Sequence, residues 1–241
     1  MRRKRFSVLV LHSENDYFYQ QRLLTHSLEV DLRDIKEKKL MASPSSLKTI
    51  EQRLPFSDNC ITFFGKGDYH YLSILFLKNI KKEFNLIVFD NHIDDRETLD
   101  KGFVSCGSWL NEAVKLPRLK KILIITSDAN LKKSKNGKIE IIDCNIDTIQ
   151  DRLNNLPLYV SIDKDVLHES YLKTTWDQGK LSPNDIINVL KFLKKEKEII
   201  GADICGEPDE FNFSEHKKSE ELNLALIATI TEEFRERKKA S

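Results

Sequence analysis

The chain alternates short apolar runs with amphipathic stretches. Runs rich in β-branched and aromatic residues lie at 6–11, 60–64, 86–89, 122–125, 139–142, 158–162 and 199–202. Most are continuous rather than alternating in polarity, the pattern of strands covered on both faces. Helix-like segments lie between them. Residues 71–80 carry Leu72, Ile74, Leu75, Leu77 and Ile80. Residues 183–195 follow a Ser182-Pro183 entry signal and carry Ile186, Ile187, Val189, Leu190 and Leu193. Residues 220–235 carry Leu222, Leu224, Leu226, Ile227 and Ile230 and run into a basic tail. The polar segment 127–138 contains Asn136-Gly137 and reads as an exposed loop or hairpin. Strand–helix alternation of this kind predicts an α/β fold with a mainly parallel sheet and helices on both sides. No Pro/Gly/Ser-rich linker, repeat or low-complexity block interrupts it, so residues 1–241 are expected to form a single domain.

Composition narrows the function classes. The chain has 241 residues, 40% hydrophobic and 32% charged, enough for a substantial core and a charged surface. Its 39 Lys+Arg and 38 Asp+Glu give a net charge of +1, so no global field argues for nucleic acid or an anionic membrane. The lysines are scattered rather than paired with an aromatic platform. The basic start, Met1-Arg2-Arg3-Lys4-Arg5, reads as a solvated leader, with an acidic surface as the alternative partner. No apolar run reaches the ~20 residues of a membrane span. The run 6–11 is too short for a signal-peptide core, so a cytoplasmic location is expected. Cys60, Cys106, Cys144 and Cys205 form no C-x-x-C pair and are expected to be free thiols. Cys60, Cys144 and Cys205 lie in or beside apolar runs and read as core.

In an open parallel sheet, ligands bind beyond the carboxyl ends of the strands. The run 86–89 ends in Asp90-Asn91-His92-Ile93-Asp94-Asp95. In an extended segment, Asp90, His92 and Asp94 share one face, and two carboxylates with an imidazole suit a divalent metal. The run 158–162 ends in Asp163-Lys164-Asp165, again with both carboxylates on one face. The run 60–64 leads through Gly65-Lys66-Gly67-Asp68-Tyr69 to His70, and the run 199–202 ends in Asp203, with Glu207, Asp209 and Glu210 close behind. Carboxylates gathered at one edge repel one another, and metal ions remove that repulsion.

Taken singly, the pieces have plainer readings. D-x-H-x-D could cap a helix beside a surface histidine, and D-x-D after a strand is a common turn. Asp163-Lys164-Asp165-Val166 also matches the nucleophile motif of haloacid dehalogenase-type phosphatases, but that motif closes the first strand of its domain and this one lies late. His12, His26, His168 and His216 read as ordinary surface or boundary histidines.

Taken in order, the pieces resemble the arginase, agmatinase and formimidoylglutamase (ureohydrolase) superfamily: a glycine-rich turn with His70, D-x-H-x-D, S-x-D-x-D from Ser161 to Asp165, and a strand with Asp203-Ile204. The resembling parts are 63–73, 86–95, 159–165 with 179–182, and 200–207. The resemblance implies a three-layer αβα sandwich and two manganese ions. It implies His70 and Asp94 on one ion, His92 and Asp165 on the other, and Asp90 and Asp163 as bridges. Hard carboxylates and imidazole suit Mn²⁺ without any thiolate. Two close cations lower the pKa of a bridging water, giving hydroxide that attacks a planar guanidinium carbon near neutral pH. The implied function is hydrolysis of a linear C–N bond in a guanidino or amidino compound, with Asp94 also among the catalytic groups.

Four departures from the family pattern bear on the substrate. The histidine turn is one residue longer. Cys106 stands where a substrate-contacting or proton-relaying histidine is expected, and a thiol is a poor substitute for imidazole near pH 7; a small packed residue is the other reading. Glu207 comes one residue later than the family's carboxylate, with reach to a guanidinium as its expected role. Arg96 follows Asp95 where a substrate head group is often read, so it either binds a carboxylate or is a surface charge. The expected partner is a small guanidino substrate or an arginine-containing peptide, with homo-oligomers compatible with either. Two alternatives remain open: a metal-dependent deacetylase-like amidohydrolase, and a non-catalytic metal-binding protein of arginase-like fold.

Overall fold

The structure is a computed structural model and describes residues 6–97, 102–128, 133–209 and 211–231. The basic start, Glu210 and the end of the last predicted helix lie outside the described residues. Eight strands form one sheet: β1 (Ser7–His12), β2 (Leu28–Asp31), β4 (Cys60–Phe63), β5 (Phe84–Phe89), β7 (Leu119–Thr126), β8 (Ile139–Asp143), β9 (Leu158–Asp163) and β10 (Ile199–Cys205). The order is β2-β1-β4-β10-β9-β5-β7-β8, and every pairing in it is parallel. A two-stranded antiparallel ribbon, β3 (Met41–Ala42) with β6 (Val104–Ser105), lies apart from it.

The continuous apolar runs work because each strand feeds two cores. Leu9, Leu11, Leu86 and Val88 face one cluster with Leu47 and Ile50 of α2 (Pro44–Arg53), Ile74 and Leu75 of α3 (Ser73–Asn79), and Trp109 of α4 (Trp109–Ala113). Val10, Ile87, Phe89, Val160 and Ile162 face the other. There they meet Leu23 of α1 (Gln21–Leu24), Ile149 of α5 (Ile146–Arg152), Leu190 of α6 (Pro183–Glu196) and Leu226 of α7 (Phe213–Thr231). The period-two split of one run between two apolar layers is the αβα sandwich expected from the sequence.

Several expectations shift at their edges. The helix expected at 71–80 begins as a 3-10 turn, Gly67–Leu72, and becomes α-helical only at Ser73. The segment 127–138 is not a hairpin, because β7 and β8 run parallel. The last helix starts at Phe213, ahead of residue 220, because its first turns bury the polar residues Glu215, His216 and Ser219, which hydrophobic periodicity does not register. The edge strand β2 is mostly exposed and polar, so no apolar run marks it. Helix α2 has Ser43 as N-cap and Pro44 in its first turn, a start signal like that of α6, where Ser182 and Asp185 form a full capping box. Among the described residues, no helix is long and apolar enough to cross a membrane.

Leu190 is fully buried in the layer that holds α6 to the sheet. Leu190→Ala is expected to lower the unfolding free energy by about 2–5 kcal/mol, measured by denaturant titration.

Candidate metal centre

The sheet order makes β4, β10, β9 and β5 consecutive neighbours, so their carboxyl ends form one short edge. Phe89 lies opposite Ile162, and Asp163 opposite Cys205. Asp90 therefore leaves β5 level with Asp163 at the end of β9. From β4 the chain turns at Gly65, whose φ of +90° places it in the left-handed region. A Cβ there would lie 2.3 Å from Asp16 Oδ2. The Gly65 N–H donates to the buried Tyr17 hydroxyl at 2.6 Å. This turn leads into the 3-10 segment that carries His70 inward.

His70 is buried, and its two ring nitrogens face different surroundings. The Ser161 hydroxyl donates to Asp203 Oδ1 at 2.5 Å. Its single proton is thereby used, so it accepts from His70 Nε2 at 2.8 Å. The other ring nitrogen, Nδ1, faces Asp90 (3.3 Å), Asp94 (3.4 Å) and Asp163 (3.6 Å). That nitrogen has no hydrogen-bond partner. His92 lies on the other side of Asp90, with Nδ1 2.8 Å from Asp165 Oδ2 and 3.5 Å from Asp90 Oδ1. Backbone amides fix the carboxylates: His92 N–H donates to Asp90 (2.6 Å), Asn91 N–H to Asp165 (3.0 Å) and Asp165 N–H to Asp163 (3.0 Å). Asp94 has φ +51°, strained for a non-glycine residue. The strain is held by Trp109 Nε1 on Asp94 Oδ2 (2.9 Å) and by Leu110 N–H on the Asp94 carbonyl (3.1 Å).

The electrostatics register a shortage of positive charge. Burial pushes the Asp163 and Asp165 carboxyls up, and neighbouring carboxylates push further. Asp94 rises for the same two reasons, burial first and then Asp90. The two imidazoles compensate. Hydrogen bonds to Asp165 and Asp90 raise His92 to about 11. Burial works against a charged His70, yet Cys205, Asp90 and Asp94 hold its protonation well above the usual imidazole range. A cation at this edge would reverse the repulsion that drives these shifts. Three groups could hold one: His70-Asp90-Asp94, Asp90-His92-Asp165 and His70-Asp163-Cys205, each with ligand atoms within 4.8 Å of one another. Donor chemistry and the unpartnered His70 Nδ1 both fit divalent metal ions.

Residues 16–208 match the sequence model of the Arginase family. The chain belongs to the arginase family. A protein of Thermotoga maritima described only as uncharacterised is 36% identical over 217 residues, 90% of this chain and 86% of its own. Formimidoylglutamase from Bacillus subtilis has a similar structure, with TM-score 0.68, 15% identity and coverage of 94% of this chain and 87% of that one. Agmatine ureohydrolase of Thermoplasma volcanium gives 0.63, 15%, 96% and 91%, and arginase from Bacillus subtilis gives 0.64, 16%, 93% and 98%. At such identities these likenesses show the arginase fold.

Within this arginase-family chain, the six residues expected to be ligands, His70, Asp90, His92, Asp94, Asp163 and Asp165, fall into the groups above. Cys106 lies on the rim, where its N–H donates to Leu40 O at 2.9 Å. Burial, then Asp94 and Asp68, push its thiol up to about 12, so it is neutral and unsuited to proton relay near pH 7. Arg96 is exposed, and its stem passes beside Gly107. Asp203 is not at the strand end; it lies within β10 and orients Ser161. His216 is fully buried, its ring at 3.0 Å from the Asp209 carbonyl, and is no surface histidine.

Glu207 requires a correction. It is fully buried and ion-paired with the equally buried Lys164. Gln20, Ser219 and Asn223 also donate to its oxygens. Burial opposes its charge, but Lys164 outweighs that and lowers its pKa. A carboxylate so engaged has no oxygen free for a guanidinium. The extra residue, Gly206 with φ +83°, redirects it into this interior network. Two aromatic residues escaped sequence reasoning. Trp109 holds Asp94 and packs 4.7 Å from the His70 ring, while Trp176 donates to Asp68 at 2.8 Å and meets His92 edge-on at 5.8 Å. No spacing rule links these tryptophans to the motifs.

Two outcomes follow for stability. Glu207→Gln leaves Lys164 buried without its counter-charge, so unfolding free energy should fall by about 3–5 kcal/mol in chemical denaturation. Asp16 is buried with neither oxygen hydrogen-bonded, and Lys66 Nζ stands 3.5 Å away. Burial raises its pKa to about 7, Lys66 pulling down and Glu207 and Glu14 pushing up. The unfolded carboxyl ionises near 3.8 and the folded one only near 7, so the protein loses stability as pH rises between those values. Asp16→Asn removes this loss, and its stability relative to the parent should increase by roughly 2–4 kcal/mol between pH 4 and pH 8.

Proposed function

We propose that this arginase-family protein is a binuclear metal-dependent hydrolase that cleaves a linear C–N bond in a guanidino or amidino compound, with Mn²⁺ as its metal. The observation that carries the reading is the unpartnered, buried His70 Nδ1 facing the carboxylates of Asp90, Asp94 and Asp163. Family membership supports the reaction class. His70 and Asp94 would hold one ion, His92 and Asp165 the second, and Asp90 and Asp163 would be shared. Asp90 already belongs to both the His70 and the His92 groups. Oxygen and nitrogen donors of this kind suit Mn²⁺. When bound, two such ions lower the pKa of water, so that attack proceeds near neutral pH, and polarise the substrate.

The chain's own side chains would do the rest. Trp109 engages Asp94 Oδ2, which leaves Oδ1 to take the proton of the attacking water and return it to the departing amine. Water and a guanidine would thus give urea and an amine. Trp176 and Asp68, joined by a hydrogen bond beside His92, would form an aromatic and acidic lip for the cationic substrate group. Exposed Arg96 would meet a substrate carboxylate. Cys106 would line the rim and add little acid–base chemistry. The substrate is a small guanidino compound, with an arginine side chain in a peptide as the larger form. We read residues 1–241 as one arginase-like domain acting in the cytoplasm.

The test is urea release by Mn²⁺-loaded protein from arginine, agmatine, guanidinobutyrate and arginyl peptides. At least one should turn over, and His92→Ala should lose one bound ion and more than roughly 100-fold of the activity, beyond losses typical of outer-shell changes. Release of no urea from any of these by fully loaded protein would contradict the proposal.

A further inference from the structure

We infer that Cys205 is a thiolate ligand of the ion bound by His70, so that the two metal positions differ in chemistry. The inference rests on the metal-centre reading above and extends it. Cys205 ends β10 directly opposite Asp163 at the end of β9. Its side chain is fully buried, and its Sγ is 3.2 Å from Asp163 Oδ2. His70 Nδ1, unpartnered, is 3.6 Å from the same oxygen. All three ligand atoms lie within 4.8 Å of one another. Ligands at ~2.0–2.3 Å from one cation are about 3–3.6 Å apart, which the Sγ–Oδ2 and Nδ1–Oδ2 separations match.

The backbone is built to bring the sulfur there. Gly206 follows with φ +83°, and a Cβ at that position would lie 2.4 Å from Asp163 Oδ1. Only a residue without a side chain lets the end of β10 pass so close to the carboxylate. The Cys205 side chain borders the apolar cluster beneath the sheet edge, while its sulfur is turned to an imidazole and a carboxylate. On binding, the S–H bond breaks, its proton passes to solvent, and a sulfur lone pair forms the bond to the metal, with no change of oxidation state. The His92, Asp90 and Asp165 group holds only nitrogen and oxygen donors. Every N/O site binds Co²⁺ and Zn²⁺ more tightly than Mn²⁺, and a thiolate widens that margin, so the Zn²⁺-to-Mn²⁺ and Co²⁺-to-Mn²⁺ affinity ratios should be larger at the His70 position than at the His92 position.

Cobalt reports sulfur ligation directly. Metal-free protein titrated with Co²⁺ should show a near-ultraviolet sulfur-to-cobalt charge-transfer band together with visible d–d bands. Cys205→Ser should lose the charge-transfer band and keep the d–d bands, while Cys106→Ser should keep both. The Zn²⁺-to-Mn²⁺ affinity ratio of the tighter zinc position, from competition titration, should fall by roughly tenfold or more in Cys205→Ser. Visible bands without charge transfer in the parent protein, or charge transfer that survives in Cys205→Ser, would overturn the thiolate ligand and leave the metal centre standing. Absence of any cobalt spectrum would overturn both.

Discussion

The structure depends on placing several carboxylates in the same dry corner. Asp90, Asp163 and Asp165 are buried, and Asp94 is nearly so, at the edge where β5 and β9 end. Like charges at this spacing repel strongly in a medium of low dielectric. Two imidazoles, a tryptophan N–H and three backbone amides partly answer that repulsion. The remainder is a standing demand for positive charge, and each proposed chemical property of the site derives from it.

The surrounding fold serves to hold that demand in place. Four neighbouring strands with apolar residues on both faces fix the relative height of their carboxyl ends. Behind the edge, Ser161 and Asp203 fix the orientation of the His70 ring through Nε2. To one side, the Lys164–Glu207 pair with Gln20, Ser219 and Asn223 ties β9, β10 and α7 together. A paired charge buried there is costly to break, which makes it a rigid support and removes Glu207 from substrate chemistry. Lys164 lies between Asp163 and Asp165 in sequence yet points into this network, because β9 ends at Asp163 and the chain turns there into a 3-10 segment, Lys164–Val166.

What the sequence disclosed and what it hid follow from the range of each signal. D-x-H-x-D and S-x-D-x-D are local signals; the strands β5 and β9 stop at their first aspartates or just before them, and the turns that follow, with Asp94 at φ +51° and Asp165 in a 3-10 segment, gather the side chains that an extended reading expects on one face. Their strand runs were legible because continuous apolar segments are rare outside a covered parallel sheet. Cys205 read as a core thiol because its neighbours in sequence are apolar; its closeness to Asp163 is a fact of register between β9 and β10. Trp109 and Trp176 reach the site across the fold, 15 and 108 residues from the aspartates they hold. Glu207 departs from its expected role for the converse reason. Its spacing suggests the site, and its partners, Gln20 just before α1, Ser219 and Asn223 in α7 and Lys164 just after β9, take it elsewhere.

The proposed function requires this carboxylate edge to bind a pair of divalent cations. Anomalous diffraction from crystals loaded with Mn²⁺ tests it most directly. Two peaks are expected between His70 and His92, roughly 3.5–4 Å apart as in two-metal hydrolytic sites. No peak at this edge, or manganese bound only elsewhere on the protein, would contradict it.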